Sequence, residues 1–223
     1  TAFTAADDFD NVKNIEAITL ANTTTAVNIT TKDTLVAAGA TLALSTSTTG
    51  GLTFNGAAET NGAFNITSSG ASNDTITAGD GDDSITCGTG ADSISGGSGD
   101  DTITFAAGTG LTSADTVNGG SGIDTVTLTG TTAVAATNFD NVSNIEVITL
   151  ANTTTNVAIT AKDALVAAGA TLTLFATTLT SGILTFDGSA ETDGTLNITG
   201  GNAADTIKAG AGNDTLDGGA ENN

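Results

Sequence analysis

The sequence has no proline, methionine, tryptophan, tyrosine or histidine, and it has only eight phenylalanines. Hydrophobic residues still make up 38% of the 223 residues, which is too many for a disordered acidic tail. We therefore expect a core of isoleucine, leucine, valine and alanine. These residues occur in short alternating runs bounded by glycine, asparagine and aspartate, a pattern that predicts an ordered all-β chain.

Positive charge is also scarce. Four lysines and no arginine face 25 acidic residues, which gives a formal net charge of −21. Such a chain repels nucleic acid and anionic membranes, so neither is expected as a partner, and self-repulsion destabilises its compact state. A bound calcium ion neutralises two carboxylates, so the charge balance favours a divalent-metal ligand.

The single cysteine, Cys87, excludes an internal disulfide. It occupies a glycine position of a turn, and we interpret it as a small substitute rather than as a reactive thiol. No apolar run approaches the roughly 20 residues of a membrane span, so membrane insertion is not expected. The segment that begins at Thr1 does not resemble a signal peptide, and we expect the chain to be part of a longer protein.

The sequence offers little for catalysis. It has no histidine or tyrosine and no visible pairing of a nucleophile with a base, so we predict no enzyme activity and no catalytic residue. Counting alone does not reject a glycosidase-like pair of acids, because acids are common in the turns. The threonine-rich strands also suggest an ice-binding face, but their array is too broken to favour one.

A long internal repeat dominates the chain. Residues 9–42 align with residues 139–172, and residues 51–67 align with residues 183–199. Duplication this faithful is typical of arrays and solenoids. We predict a first long repeat at 1–130, with a strand-rich solenoid at 1–68 and a β-roll at 69–127, and a second, truncated repeat at 131–223, with a solenoid at 131–199 and further nonapeptides at 200–223.

Local patterns predict the elements of each long repeat. In the first one, strands are expected at residues 14–22, 26–30, 40–47, 51–55 and 63–67. A short helix is expected at 31–39, where Gly39 would end it, and again at 161–169. The repeated glutamates are interpreted as surface charge rather than as ligands; they are Glu16, Glu59, Glu146 and Glu191.

A second period, of nine residues, lies within the first. Four nonapeptides follow one another without a gap over residues 69–104, and each has an aspartate and an isoleucine in the same register. The aspartates are Asp74, Asp83, Asp92 and Asp101. After an irregular insertion around Asp115 the pattern returns at 119–127 and at 200–217.

These segments follow the template G-G-x-G-x-D-x-U-x, where U is a large apolar residue, and they resemble the RTX (repeats-in-toxin) family. The resemblance implies a right-handed parallel β-roll with two nonapeptides per coil. Each six-residue turn would bind Ca²⁺ and the last three residues would form a strand. Turns stacked two repeats apart would pair Asp74 with Asp92 and Asp83 with Asp101.

The physical chemistry of the residues agrees with this expectation. Glycine allows turn conformations in which backbone carbonyls point at an ion, and calcium takes six to eight oxygen ligands. Without metal the paired aspartates repel one another, so folding and calcium binding should be coupled. The predicted site residues are Asp74, Gly79, Gly81, Asp83, Gly88, Gly90, Asp92, Gly97, Gly99, Asp101, Asp124, Asp205 and Asp214. The last three lie in isolated or unpartnered repeats.

As a whole the chain looks like the RTX-bearing surface-layer proteins of Gram-negative bacteria. That likeness implies a calcium-binding structural segment, secreted to the cell surface, that self-associates into a lattice or fibre. A spacer of an RTX adhesin or biofilm-matrix protein, and the export and folding domain of a type I secreted enzyme, are the alternatives. Cell-surface polysaccharide is a further possible partner, reached through regions outside this chain.

Overall fold

The computed structural model describes residues 11–20, 24–47, 49–106, 108–151 and 154–220. These residues form 19 β-strands and two short 3-10 helices. The chain divides into two compact units, the first of residues 1–104 and 116–124 and the second of residues 105–115 and 125–223.

The first unit alternates between two parallel sheets. Its strands are β1 (Ala17–Leu20), β2 (Val27–Thr30), β3 (Thr41–Thr46), β4 (Leu52–Asn55), β5 (Ala63–Ser68), β6 (Thr75–Thr77), β7 (Ser84–Cys87), β8 (Ser93–Ser98), β9 (Thr102–Ala106), which continues into the second unit, and β10 (Thr116–Ser121). The odd-numbered strands pair in the order β1-β3-β5-β7-β9, and the even-numbered strands pair as β2-β4-β6-β8-β10. Each coil thus adds one strand to each sheet, as in a β-solenoid.

The second unit has the same organisation. Its strands are β11 (Thr125–Thr129), β12 (Val142–Ser143), β13 (Val147–Ala151), β14 (Val157–Thr160), β15 (Thr171–Phe175), β16 (Leu184–Asp187), β17 (Thr195–Thr199), β18 (Thr206–Lys208) and β19 (Thr215–Asp217). One parallel sheet has the order β11-β13-β15-β17-β19 and another the order β14-β16-β18. The 3-10 helices span Ala136–Phe139 and Asp163–Leu165.

Ladders of identical apolar positions form the core. Ile85 of β7 pairs with Ile66 of β5 and with Ile103 of β9, and all three side chains are fully buried. The rings of Phe54 and Phe64 meet edge to face with centroids 4.9 Å apart. Because burial of each such side chain contributes about 1.5–3 kcal/mol, the ladders stabilise the stack of coils.

The two long repeats build equivalent coils. Val27 pairs with Leu52 in the first unit, as Val157 pairs with Leu184 in the second. The all-β parallel solenoid predicted from the sequence is confirmed. The five strands predicted for the first repeat correspond to β1 to β5, although residues 21–22 of the first prediction lie outside the described residues.

The predicted short helix is present in the second long repeat only, as a single 3-10 turn. Residues 31–39 form only turns, in which Leu35 N donates to the Lys32 carbonyl at 2.8 Å, and residues 161–169 contain one three-residue 3-10 helix. A second turn follows before β3 begins at Thr41, because Ala40 N donates to the Ala37 carbonyl at 2.8 Å. The predicted glycine stop is present, since Gly39 has a φ of +72°.

Candidate metal-binding turns

The nonapeptide aspartates lie at the ends of turns, one residue before a strand. Asp74 and Asp92 precede β6 and β8 of one sheet, whereas Asp83 and Asp101 precede β7 and β9 of the other. Each sheet therefore has its own column of aspartates. All four side chains are buried, and the alternation of the nine-residue repeats between the two sheets produces both columns.

Hydrogen bonds connect each column from coil to coil. In the first column Asp74 N donates to Asp92 Oδ1 at 2.8 Å, and in the second Asp83 N donates to Asp101 Oδ1 at 2.8 Å. At the start of the first column, Asp74 Oδ1 accepts a hydrogen bond from the backbone amide of Leu52, in the preceding coil, at 2.7 Å. The structure thus brings together the two aspartate pairs that the RTX resemblance implied.

Asp124, which was predicted as a site residue in an isolated repeat, also joins a column. Asp101 N donates to its Oδ1 at 2.9 Å, although the two residues are 23 positions apart rather than 18. After the insertion the chain returns in register, with Val117 opposite Ile94. Asp115 directly precedes β10, and its Oδ2 accepts a hydrogen bond from Thr112 N at 2.6 Å.

The second unit repeats the start of both columns. Leu184 N donates to Asp205 Oδ1 at 2.8 Å, as Leu52 does to Asp74 in the first unit. Leu196 N donates to Asp214 Oδ1 at 2.8 Å. Asp205 is buried and Asp214 is half-buried. Both predicted residues therefore occupy the same structural position as their counterparts in the first unit.

The glycines of successive turns stack directly on one another. Gly97 lies over Gly79 and Gly99 lies over Gly81, with φ values of +116° and +125° for the upper residues. A Cβ atom on either upper glycine would overlap the carbonyl oxygen of the glycine below. Gly88 and Gly90 are placed in the same way over Gly70 and Ser72. Backbone carbonyl oxygens therefore lie between successive turns.

Burial perturbs two of these carboxyls. It raises the pKa of Asp83 to about 6, although amides of Phe64 and Gly79 partly oppose the effect by donating to the carboxylate. Burial likewise raises the pKa of Asp101 to about 7, with further contributions from the negative charges of Asp83 and Asp124. Both carboxyls are therefore poised to exchange a proton for a cation near neutral pH.

The donor set fits calcium. Asp101 is 1% exposed, and its Oδ2 atom is buried without a hydrogen-bond partner within the described part of the chain. Such an atom is costly unless a cation or donor satisfies it. Carboxylates and backbone carbonyls are hard oxygen ligands of the kind that calcium prefers, whereas zinc sites use histidine and cysteine. Cys87 is buried at the end of β7.

One interpretation from the sequence was wrong. Glu59 and Glu191 were expected to be surface charges, but they are 0% and 1% exposed. Each folds back into its own turn, where Oε1 accepts hydrogen bonds from the amides of Gly62 and Gly194, respectively. The signal that could have revealed them was the recurrence of alanine-glutamate-threonine before a glycine turn in both long repeats.

Across the residues that the structure describes, no helix has the length and apolar character needed to cross a membrane.

Comparison with protein families identifies the turns. The model of the RTX calcium-binding nonapeptide repeat matches four segments, at residues 68–103, 88–111, 109–126 and 197–223. These segments include the two aspartate columns of the first unit and the column starts of the second. Comparison with curated proteins and with solved structures gives no match.

Proposed function

We propose that this chain, which carries RTX calcium-binding nonapeptide repeats in a β-solenoid, is a structural segment of a secreted bacterial surface coat that folds and assembles when it binds calcium. The observation that carries the proposal is the pair of buried aspartate columns. They concentrate carboxylates and glycine carbonyls between stacked turns in a chain of net charge −21.

We assign calcium binding to the column aspartates and to the carbonyls of the stacked glycines. Bound calcium would supply positive charge between coils that otherwise place carboxylates on top of one another. The aspartates do two things in this arrangement. Their Oδ1 atoms hold the amides of the neighbouring coil, and Asp101 Oδ2 remains for the ion. Removing the ion therefore weakens the stack at every turn.

The duplication supports a structural role rather than a catalytic one. Both long repeats build the same strand pairings, and their nonapeptides begin the same columns. Repetition of this kind extends a solenoid, since each added repeat contacts only its neighbours. RTX repeats are typical of proteins secreted by Gram-negative bacteria, so the cell surface is the expected location. In this setting the repeat supports a coat built from many copies.

Assembly is tested by light scattering and electron microscopy of the purified chain, first in EGTA and then in millimolar calcium. The coat proposal predicts scattering and ordered sheets or fibres in calcium only. The matched control is the double substitution Asp92→Asn and Asp101→Asn, which keeps the side-chain shape but removes two column charges, and it should not assemble at the same calcium concentration.

Folding in calcium without any assembly would contradict the coat. That result would instead favour a spacer of an adhesin or biofilm-matrix protein, or an export and folding domain of a secreted enzyme.

A further inference from the structure

A cluster of acids lies outside the nonapeptides of the second unit. Asp163, Glu191 and Asp193 each place a carboxylate oxygen within 4.8 Å of the others. Calcium binds its oxygen ligands at about 2.3–2.6 Å, so two ligands on opposite sides of one ion are up to about 5 Å apart. The spacing of the three carboxylates therefore suits a single shared ion.

The buried glutamate supplies independent evidence for a ligand. Glu191 is 1% exposed, and its Oε1 accepts the Gly194 amide at 2.8 Å and the Asp193 amide at 3.2 Å. Its Oε2 atom is buried and has no hydrogen-bond partner among the described residues. A carboxylate held this firmly, with one oxygen unsatisfied beside two further acids, leaves a position that a cation fills.

The turn is built in the same way in the first unit. Glu59 is fully buried, its Oε1 accepts the Gly62 amide at 2.9 Å, and its Oε2 is likewise without a hydrogen-bond partner. Asp33 occupies the position of Asp163, and each accepts a hydrogen bond from the threonine that follows the glutamate. The same arrangement of turn, glutamate and aspartate therefore occurs in both long repeats.

The two copies differ at one ligand. Where the second unit has Asp193, the first has Asn61, whose Nδ2 donates to Asp33 Oδ1 at 3.3 Å. The second cluster thus has three carboxylates and the first has two. Calcium affinity rises with the number of charged ligands, so the second-unit site should bind more tightly.

We propose that each long repeat holds a divalent cation, preferentially calcium, in its glutamate turn, with Glu191, Asp163 and Asp193 as ligands in the second unit and Glu59 and Asp33 in the first. The glutamate turn lies directly under a nonapeptide turn, because Ala211 N donates to the Glu191 carbonyl at 2.9 Å and Asp80 N donates to that of Glu59 at 2.9 Å. It therefore extends metal binding from the nonapeptides into the preceding coil.

The test is equilibrium dialysis of the full chain against radioactive calcium, with circular dichroism in saturating calcium to verify the fold. Glu191→Gln keeps the side-chain size and the Oε1 acceptor but removes the charge. It should bind one calcium ion fewer than the unaltered chain. Glu146→Gln makes the same chemical change outside the cluster and should leave the number of bound ions unchanged. An unchanged ion count in Glu191→Gln would overturn the proposal and leave the glutamate as a turn cap only.

A second variant protects the test against misfolding. Asp193 is exposed, so Asp193→Asn should fold normally and should lower the affinity of one site by about tenfold, because it removes one charged ligand. The reverse change in the first unit, Asn61→Asp, should raise the affinity of one site. No change in either variant would contradict the assignment.

Loss of the ion at Glu191 can be distinguished from loss of the ions at the nonapeptide turns. The Asp92→Asn and Asp101→Asn double variant should lose column ions yet keep the ion that depends on Glu191. If instead the column variant loses no ions while Glu191→Gln loses one, the nonapeptide assignment fails and the glutamate site stands.

Discussion

Single buried carboxyl groups make the stability of this solenoid depend on pH. In the second column Asp83 and Asp101 are buried one coil apart, each with a pKa raised mainly by burial. A carboxyl that is protonated in the fold but ionised in the unfolded chain penalises folding as the pH rises. The same residues that would hold calcium therefore oppose folding when the ion is removed.

This balance predicts an unusual pH dependence of the metal-free chain. The folded pKa values of about 6 and about 7 exceed the ordinary value of 3.8, so their stabilising effect is complete below about pH 3.8 and is lost as the pH rises through 6 to 7. Between pH 3.8 and its folded pKa, each group lowers the unfolding free energy by up to about 1.4 kcal/mol for every unit by which the pH rises. Circular dichroism of the metal-free chain should show more β signal at pH 5 than at pH 8.

Calcium should abolish or reverse this trend, because the ion binds the ionised carboxylates. A metal-free chain with equal or stronger β signal at pH 8 would show that the column carboxyls are not buried as described.

A single isosteric substitution isolates one column position. Asp101→Asn keeps an oxygen that accepts the Asp83 amide but removes the charge, so the variant should need more calcium to fold. At millimolar calcium a site of about 10⁻⁴ M contributes about 1.4 kcal/mol, and loss of the site should remove about that much stabilisation. The measurement is the calcium midpoint of the β signal. Asp217→Asn, an exposed aspartate, is the matched control and should leave the midpoint unchanged.

The sequence predicted these residues unevenly, for physical reasons. Asp74, Asp83, Asp92 and Asp101 recur every nine residues, and their stacking followed once the RTX resemblance implied two nonapeptides per coil. Asp124 reaches its column only after an insertion, and the period does not show that the chain returns in register. Burial of the glutamates is not visible in the strand periodicity, and only the recurrence of alanine-glutamate-threonine before a glycine turn in both long repeats distinguishes them.

Within each coil, the turns restrict the choice of residue more than the strands do. Strands needed only alternating apolar residues, which is why β1 to β5 could be predicted. The expected helix is reduced to separate turns, because Val166 is extended, with φ −112° and ψ 131°, and the chain turns again where Ala170 N donates to the Ala167 carbonyl. The turns require glycine where coils touch, since carbonyl oxygens of one coil occupy the space beside the next.

Substitutions at two glycines distinguish the stability cost of a steric overlap between coils from the cost of backbone strain alone. Gly97 and Gly130 both have positive φ, but a Cβ at Gly97 would overlap the Gly79 carbonyl, whereas nothing lies within 4 Å of a Cβ at Gly130. Gly130→Ala should therefore cost only about 1–2 kcal/mol of conformational strain. Gly97→Ala should cost clearly more and should weaken calcium binding. Urea unfolding in calcium measures both, and equal losses would contradict the stacked geometry.

The whole molecule combines a repeated fold with an excess of negative charge. Each unit is a parallel solenoid stabilised by apolar ladders, and 25 acidic residues oppose its compact form. Composition, period and family resemblance together predicted the fold and the ion.

A calcium titration of the unaltered chain tests whether this fold requires bound calcium. Circular dichroism is recorded from EGTA into millimolar calcium, with magnesium at equal concentration as the control, because magnesium demands a smaller and more regular octahedral site. We predict a cooperative gain of β signal in calcium that magnesium does not reproduce. A spectrum that is the same in EGTA and in calcium would contradict the claim.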